Sequence, residues 1–519
     1  MSGSFDKKSA GAARRLERAE KERKEKRKTR IITLSVVVVL VVLFAGALFL
    51  NSKFARRTMT AVTVGGVNFT AVEFDYFYHT SYQEYRQNMT DQWGDYASSM
   101  LPSTERPLSS QIFDQETGRT WADFFVDYAF LQMTEAVQYH NAATAAGYKL
   151  PDDKRADMDG EIADFKQYVE LYTEFDSYLQ MLYGSNINES SFRKINEFIY
   201  TANAYSEYVR DTFSYSPAEL DAYYFEHRDS LDIFTYRYFL VSAESVSQED
   251  YPTDEEYDAA KEAALAEAAV MAAEIFASID NEDDFINAAR EYDESAYEDR
   301  DSTMHSYPGS WLGSYYGPWM RENEHEYGDM TTADMTNGTY IVFYIGRDGN
   351  SYNMTEMRQI LIMRDFIDPD EFEDGEDDPA YHAAAELADA EARERAENIL
   401  NLFVEGNATE DFLIGMMEEY SDDTTEGGFY DEISKDYYHN KMVEEIETWL
   451  FEPGRQYGDY ELIETADYGY HLVFFMGFGE KFSDRLAGDE MRNNDYSEWK
   501  ENLAPVDTVK RWAFMLTAQ

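Results

Sequence analysis

Three short stretches of the chain decide its fold: MRQILI at residues 357–362, YSDDTTEGG at 420–428 and YGYHLVFF at 468–475. The first and third stretches are rich in aliphatic and aromatic residues, which is typical of strands. The second combines Ser, Asp and paired Gly, which are turn residues. Apolar residues recur at helical spacing over residues 390–404. This order of strand, helix, turn and strand predicts an α+β domain at residues 351–480.

Taken together, the three motifs resemble the signature of parvulin-type peptidyl-prolyl isomerases. That signature has a strand R-H-I-L, a turn Y-S-D followed by G-G, and a last strand with G-x-H. The resemblance implies that Asp423 and His471 are catalytic, with Gln359 in the place of the first-strand histidine. Because Gln359 departs from the family pattern, a retained and a lost isomerase activity both stay open.

The resemblance also implies an apolar slot for the proline ring of a substrate. Met442, Ile446 and Tyr430 would line this slot, although Ile446 stands where the family usually has Phe. The threonine that the family carries near the last strand matches Thr465 only after a shift of one residue. A substrate-binding role for Met442, Ile446 and Tyr430 is therefore an expectation from the resemblance alone.

The same residues also have ordinary structural explanations. A single histidine such as His471 on an apolar strand is more often structural than catalytic. Asp422 and Asp423 would cap a turn equally well. Met442 and Ile446 lie four residues apart, so they would also meet as core contacts on one helix face.

An internal repeat precedes this domain. Trp319, the motif YGD at 327–329 and the strand at 340–346 recur about 130 residues later as Trp449, YGD at 457–459 and the strand at 471–477.

We therefore predict two tandem parvulin-like domains, at residues 229–350 and 351–480. In the first domain Tyr238 and Tyr340 stand in the places of the two histidines. That domain is predicted to be a binding or spacing module.

The N-terminus combines a basic leader with an apolar run. Residues 1–30 carry twelve Lys or Arg against five Asp or Glu, a net charge of +7, which leaves −64 for the remainder. Residues 31–50 are uncharged and reach about 30 Å as a helix, the thickness of a bilayer core. The positive-inside rule predicts a cytoplasmic tail, a transmembrane helix and an extracytoplasmic bulk. A cleaved signal peptide ending near AGA at 45–47 is the alternative.

Composition excludes several kinds of site. The chain has no cysteine, which excludes disulfides, thiolate catalysis and cysteine zinc sites. Its strongly acidic balance argues against nucleic acid as a partner and suits basic polypeptide clients. The eight histidines show no metal-binding spacing, and no glycine-rich phosphate loop is present. We therefore predict no cofactor and no metal.

Residues 58–228 are predicted to form a mostly helical domain. Strand-like residues 61–70 lead into a helix with a capping box at Thr70, and helices follow at about 120–146, 154–183 and 189–213, with 101–120 as a loop. The opening VGGVNFT with its aromatic helix resembles the chaperone domain of SurA/PrsA-type foldases. A further helix opens with SPAE at 216–219, with Ser216 as N-cap, Pro217 as the first helical residue and Glu219 three residues after the cap. C-terminal helices at 481–519, one of them over 507–516, would then return to the chaperone domain, as the family resemblance implies.

The sequence thus predicts a multidomain α+β protein of the SurA/PrsA type. The resemblance implies a membrane-anchored foldase for unfolded or exported polypeptides, with the isomerase in the second repeat. An inactive holdase and a structural or adhesive surface protein are the alternatives.

Overall fold

The computed structural model describes residues 23, 28, 30, 33–50, 52–322, 325–435, 442–511 and 516. The chain mixes helices and sheets, as predicted, and divides into two units. The first unit comprises Met1–Phe213 and Asp495–Gln519, and the second comprises Ser214–Asn494. Most of the predicted basic tail, and residues 31 and 32 of the predicted membrane segment, lie outside the described residues.

The first helix, α1 (Thr33–Leu50), is long and apolar enough to span a membrane. Its mean hydropathy is 2.9, and none of its residues is buried in the protein. A second helix, α2 (Lys53–Thr58), follows after Ser52, whose hydroxyl accepts a hydrogen bond from its first turn. The Arg57 guanidinium donates to the carbonyl oxygen of Asn186 at 2.6 Å. The short helix after the apolar segment is therefore fixed to the first unit.

Helices dominate the first unit. They and its short strands run in chain order as β1 (Thr60–Val64), β2 (Val67–Thr70), α3 (Ala71–Trp93), α4 (Ala97–Met100), β3 (Ile112–Asp114), β4 (Arg119–Thr120), α5 (Trp121–Ala146), α6 (Asp152–Glu170), α7 (Phe175–Tyr183) and α8 (Glu189–Thr212). Thr70 caps α3 through the predicted capping box with Glu73. The core lies between α3, α5 and α8 and is rich in aromatic side chains such as Phe74 and Phe125.

Two local predictions for this unit were wrong. The helix predicted over 154–183 is two helices, because the chain turns at residues 171–174 so that Phe175 and Leu179 of α7 reach the core. Residues 171–174 contain neither Gly nor Pro, so the sequence offered no signal of the break. The predicted loop at 101–120 contains the short hairpin of β3 and β4.

The second unit holds two four-stranded sheets with helices on them. Its elements are α9 (Pro217–Leu231), β5 (Ile233–Ser242), α10 (Asp254–Phe276), α11 (Glu282–Tyr292), β6 (Met304–Pro308), α12 (Gly317–Glu322), β7 (Met330–Met335), β8 (Gly338–Asp348), β9 (Asn353–Met363), α13 (Pro379–Glu405), α14 (Glu410–Tyr420), β10 (Phe429–Ile433), α15 (Glu444–Leu450), β11 (Tyr460–Thr465) and β12 (Gly469–Lys481). The sheet orders are β6-β5-β8-β7 and β10-β9-β12-β11, with antiparallel pairing throughout. Element order and strand order thus repeat, as the sequence repeat predicts.

The repeated motif YGD has a structural role in both copies. In the second copy the Tyr457 hydroxyl donates to Glu410 at 2.9 Å, and Glu410 pairs with Arg358 at 2.9 Å. The backbone N–H of Gly458, at φ +91°, donates to the carbonyl oxygen of Phe475 at 3.0 Å. The first copy repeats these contacts with the corresponding residues Tyr327, Glu282, Arg237, Gly328 and Tyr344. The repeated motif therefore stabilises the same fold in both copies, and it does not by itself indicate a functional site.

Helix α9 belongs to the second unit, whereas we predicted a domain boundary at 228/229. Ser216 caps it with Glu219, as predicted. The Tyr224 hydroxyl donates to Asp232 at 2.7 Å and accepts from the Asn350 side-chain amide at 3.0 Å. These buried polar contacts tie α9 to the second unit. The boundaries 229–350 and 351–480 within the unit stay predictions.

The C-terminal part of the chain returns to the first unit. Helix α16 (Phe482–Glu501) is followed by strand β13 (Thr508–Lys510), which pairs with β1 to give the sheet order β13-β1-β2. The helix predicted over 507–516 is therefore wrong at 508–510, and residues 512–515 lie outside the described residues. A strand forms there because β1 has a free edge whose backbone groups need partners.

Truncation after Leu503 is expected to destabilise the first unit by about 3 kcal/mol or more, since it removes the partner of β1 and two packed apolar side chains. Val506 and Leu516 both lie against the first-unit core. Calorimetry of the detergent-solubilised chain would show a lower Tm for one transition. As a control, Val509→Ala should change little, because Val509 is exposed. An unchanged transition after truncation would contradict the expectation.

Candidate functional site

The two central strands of the second repeat present Gln359 and His471 on the same face of the sheet. In the register of β9 and β12, Gln359 lies opposite Val473, and His471 lies opposite Leu361. Side chains alternate between the two faces of a strand, so these odd-numbered positions share one face while Ile360 and its even-numbered neighbours face α13 and α14. Gln359 and His471 are both buried.

The turn after α14 is clamped onto the edge of β9. The Ser421 hydroxyl accepts from the backbone N–H of Leu361 at 3.1 Å and from that of Asp423 at 3.2 Å. The Asp422 carboxylate accepts from the backbone N–H of Met363 at 2.9 Å. Ser421 and Asp422 are thus structural parts of the motif, and they orient Asp423 toward Gln359.

Two glycines beside β9 are required by the geometry. Gly428 has φ +50°, and a Cβ there would lie 2.4 Å from the carbonyl oxygen of Gln359 and 2.0 Å from Cε of Met417. Gly469, at φ +132°, approaches the carbonyl oxygen of Ile362 equally closely, at 2.4 Å. Both glycines therefore let another backbone segment lie against β9.

A continuous chain of hydrogen bonds joins the predicted catalytic residues. Nδ1 of His471 lies 2.8 Å from Oε1 of Gln359, and Nε2 of Gln359 donates to Asp423 at 2.8 Å. The Tyr430 hydroxyl donates to the same Asp423 oxygen at 2.7 Å. At the other end, the Thr465 hydroxyl lies 3.1 Å from Nε2 of His471. The structure thus brings together Asp423, Gln359, His471 and Tyr430.

The direction of the hydrogen bonds defines the histidine tautomer. Because the Gln359 amide nitrogen donates to Asp423, its oxygen faces His471 and needs a donor there. Nδ1 of His471 therefore carries the proton, and Nε2 accepts from Thr465. Burial lowers the pKa of His471 to about 4, although the nearby charges of Asp423 and Glu445 oppose this shift. His471 is neutral at neutral pH.

Asp423 is the charged member of the chain. Burial raises the pKa of its carboxyl, but hydrogen bonds from the Thr425 backbone N–H and from the Gln359 and Tyr430 side chains outweigh burial and hold the pKa below its ordinary value. Burial also raises the pKa of Tyr430, so the phenol remains a donor. Neutral hydrogen-bond donors thus stabilise the charged, half-buried carboxylate of Asp423.

Two threonines complete the arrangement. Thr465, which matched the family only after a shift, is buried and reaches His471. Thr425 was missed: its hydroxyl lies 3.0 Å from that of Tyr430, and its backbone N–H donates to Asp423 at 2.9 Å. The spacing D-x-T, typical of an Asx turn, was the signal that would have found Thr425.

The three predicted substrate-binding residues meet in one apolar cluster beside the hydrogen-bonded chain. Met442 and Tyr430 are partly buried there, whereas Ile446 is fully buried. An open cleft of about 840 Å³ adjoins this cluster, with Met442 and Thr465 in its lining. Met442 is thus placed on the cleft, and Ile446 supports it from the core.

The first repeat has aromatic rings at the corresponding positions. Tyr238 stacks on His305 with ring centroids 4.3 Å apart and contacts Tyr340 edge-on at 5.1 Å. Tyr316 contacts both rings, with centroids 5.8 Å from Tyr238 and 5.6 Å from Tyr340, and shares a 3.0 Å hydrogen bond with Tyr236. Tyr238 and Tyr340 thus stand in the places of Gln359 and His471, so the first repeat has neither the amide nor the imidazole of the hydrogen-bonded chain.

Within the part of the chain that the structure describes, no three His, Cys, Asp or Glu side chains group as metal ligands would.

No protein-family model matches the chain, and no curated protein matches it. Among solved structures, PrsA from Bacillus subtilis matches with 13% identity over 46% of this chain and 79% of the PrsA chain, with a TM-score of 0.14. That similarity is too low to support any statement about fold or function.

Proposed function

We propose that this protein is a membrane-anchored, extracytoplasmic foldase whose second repeat is a peptidyl-prolyl isomerase of the parvulin type. The observation that carries the proposal is the chain of hydrogen bonds from Thr465 through His471 and Gln359 to Asp423 and Tyr430, beside an apolar cluster with Met442. Gln359 makes two contacts in that chain, to His471 and to Asp423. The chain is therefore continuous with glutamine at the position where the parvulin signature has histidine.

The chemistry needs no nucleophile. Rotation about the prolyl bond costs about 18–20 kcal/mol because it breaks amide conjugation. In the planar amide, electron density is shifted from nitrogen to the carbonyl oxygen, and it returns to nitrogen as the bond twists. A fixed carboxylate beside that oxygen disfavours the planar state more than the twisted state, which lowers the barrier. Asp423 would supply this charge, and the Met442 side of the cleft would hold the proline ring.

The cleft suits polypeptides with a basic residue near the proline. Glu444, Glu445 and Asp467 line it and are exposed, and Lys435 is the one basic residue among its described lining. With the net charge of −57, they favour basic clients. Placement outside the cytoplasm is supported by α1 together with the basic residues that precede it.

The test is a protease-coupled assay with Xaa-Pro peptides on the detergent-solubilised chain. Asp423→Asn and His471→Ala should each lower kcat/KM at least about tenfold. The first variant removes the negative charge, and the second removes the imidazole that positions Gln359 and, through it, Asp423. Asp431→Asn is the matched control, since Asp431 is an exposed carboxylate one residue from Tyr430. Wild-type activity that survives Asp423→Asn unchanged would exclude the proposed site.

A holdase without isomerase activity is the second candidate. It is favoured by exposed aromatic side chains of the first repeat: Trp311 and Tyr315 are exposed, and the next residue, Tyr316, stacks on Tyr238. Aromatic rings bind unfolded polypeptides through large, partly polar contact areas. Suppression of client aggregation by a wild type that lacks isomerase activity would select this function, and absence of both activities would favour a structural or adhesive surface protein.

A further inference from the structure

Two adjoining cavities lie in the first unit, between α3, the loop at 98–112 and the start of α5. The larger has a volume of about 820 Å³ and the smaller about 220 Å³. Ser103, Thr104 and Arg106 line both cavities, so Arg106 stands where they meet. The larger cavity has the volume for several residues of a peptide, and the smaller has room for one large side chain.

The loop that forms the cavities is held in place by a buried glutamine. The Gln111 side chain accepts from the backbone N–H of Ser103 at 2.8 Å. It donates to the carbonyl oxygens of Ser103 at 2.9 Å and Arg106 at 2.8 Å. The cavities are therefore preformed, which reduces the entropy lost when a ligand binds.

The two arginines of these cavities have no acidic partner. Arg86, in the larger cavity, donates to the Tyr82 hydroxyl at 3.1 Å, and neither Arg86 nor Arg106 pairs with a carboxylate among the described residues. Three other arginines of this unit, Arg119, Arg155 and Arg193, each pair with one. Glu105 also lines the larger cavity but pairs with neither guanidinium. A guanidinium binds a carboxylate with two parallel hydrogen bonds, so these two side chains are available to an anionic ligand.

An unused hydroxyl lies beside them. Tyr78 lines the smaller cavity and is 5% exposed, and its hydroxyl has no hydrogen-bond partner in the described structure. Buried polar groups are nearly always paired, so an unpaired one indicates a missing partner. Tyr82 accepts from Arg86 and still has its own hydroxyl hydrogen to donate. All these groups are donors, and they fit an anionic acceptor.

We propose that this pair of cavities binds the C-terminal end of a polypeptide. Arg106, at the junction, holds the terminal carboxylate together with Arg86 and the tyrosine hydroxyls. The last side chain enters the smaller cavity, whose walls include Pro107, Leu108 and Ala122. The preceding residues follow the larger cavity past the exposed Met100 and Ile112. This inference deepens the proposed foldase function by giving the first unit a binding site of its own.

The test is fluorescence anisotropy of labelled apolar peptides on the detergent-solubilised chain. A peptide ending in a free carboxylate should bind at least about tenfold more tightly than the same peptide with an amidated end, because hydrogen bonds to charged groups are strong. Arg106→Gln should remove most of this difference. Arg155→Gln is the matched control, since its partner Glu197 is remote from the cavities and it should leave the difference unchanged.

A second variant separates binding from folding. Tyr78→Phe should weaken binding of the free-acid peptide but leave Tm unchanged or higher, because the hydroxyl that it removes has no partner in the fold. Equal binding of the acid and amide peptides would overturn the proposal. So would equal binding of the free-acid peptide and of an amidated peptide whose only carboxylate is an internal Glu. Isomerase activity resides in the second repeat, so it should be the same in all these variants whichever result is obtained.

Discussion

Gly428→Val is expected to lower the free energy of unfolding of the second unit by about 4 kcal/mol. Two costs add. A β-branched residue is strained at φ +50°, and its Cβ would lie 2.4 Å from the carbonyl oxygen of Gln359. That oxygen belongs to the central strand β9, so the clash cannot be relieved by moving a flexible side chain. The turn carrying Asp423 would separate from the sheet.

Urea unfolding followed by circular dichroism would measure the change, and two glycines serve as controls. Gly427→Ala has the same backbone strain, at φ +62°, but its nearest neighbour is the movable Arg358 guanidinium, so the loss should be smaller. Gly415→Ala lies within α14 with nothing close to its Cβ, and it should stabilise by about 0.5–1 kcal/mol. A Gly428→Val protein as stable as Gly427→Ala would refute the close approach.

Acidification from pH 7 to pH 4 should cost the wild type about 3 kcal/mol more unfolding free energy than it costs His471→Gln. Burial holds the pKa of His471 at about 4 in the fold, whereas the unfolded value is near 6.5. Between these values the unfolded chain binds the proton and the folded chain does not, so stability falls as the pH falls through this window. The glutamine side chain of the variant does not titrate and so contributes no such loss.

The comparison isolates one residue because every other titrating group is shared by both proteins. Asp423, whose pKa is below its ordinary value, loses its contribution only at still lower pH. His382→Gln, at an exposed histidine, is the control for removing an imidazole from the surface. Parallel stability curves for wild type and His471→Gln would show that the imidazole is not buried as a neutral group.

Features defined by neighbours in sequence were predictable. The capping boxes at Thr70 and Ser216 depend on a partner three residues away, and both form as predicted. The repeat also predicted two copies with the same plan, and the YGD motifs make the same contacts in both.

Features defined by partners distant in sequence were not predictable. Strand β13 forms because β1 offers an edge, and residues 507–516 alone follow a helical pattern. The contact of Thr465 with His471 depends on the register of the hairpin between β11 and β12. Thr425 joins Tyr430 only because β10 runs beside the turn. For Asp423, Gln359 and His471 the sequence motifs identified the residues, but only the fold shows which atoms meet.

The pairing of β1 with β13 fixes an order of events during biosynthesis. Strand β1 follows soon after the apolar helix and leaves the ribosome early, while its partner emerges only after the whole second unit has been made. Until then the edge of β1 is unpaired and open to incorrect strand pairing. The first unit is therefore completed last, and a chain arrested before residue 508 exposes this edge to proteases.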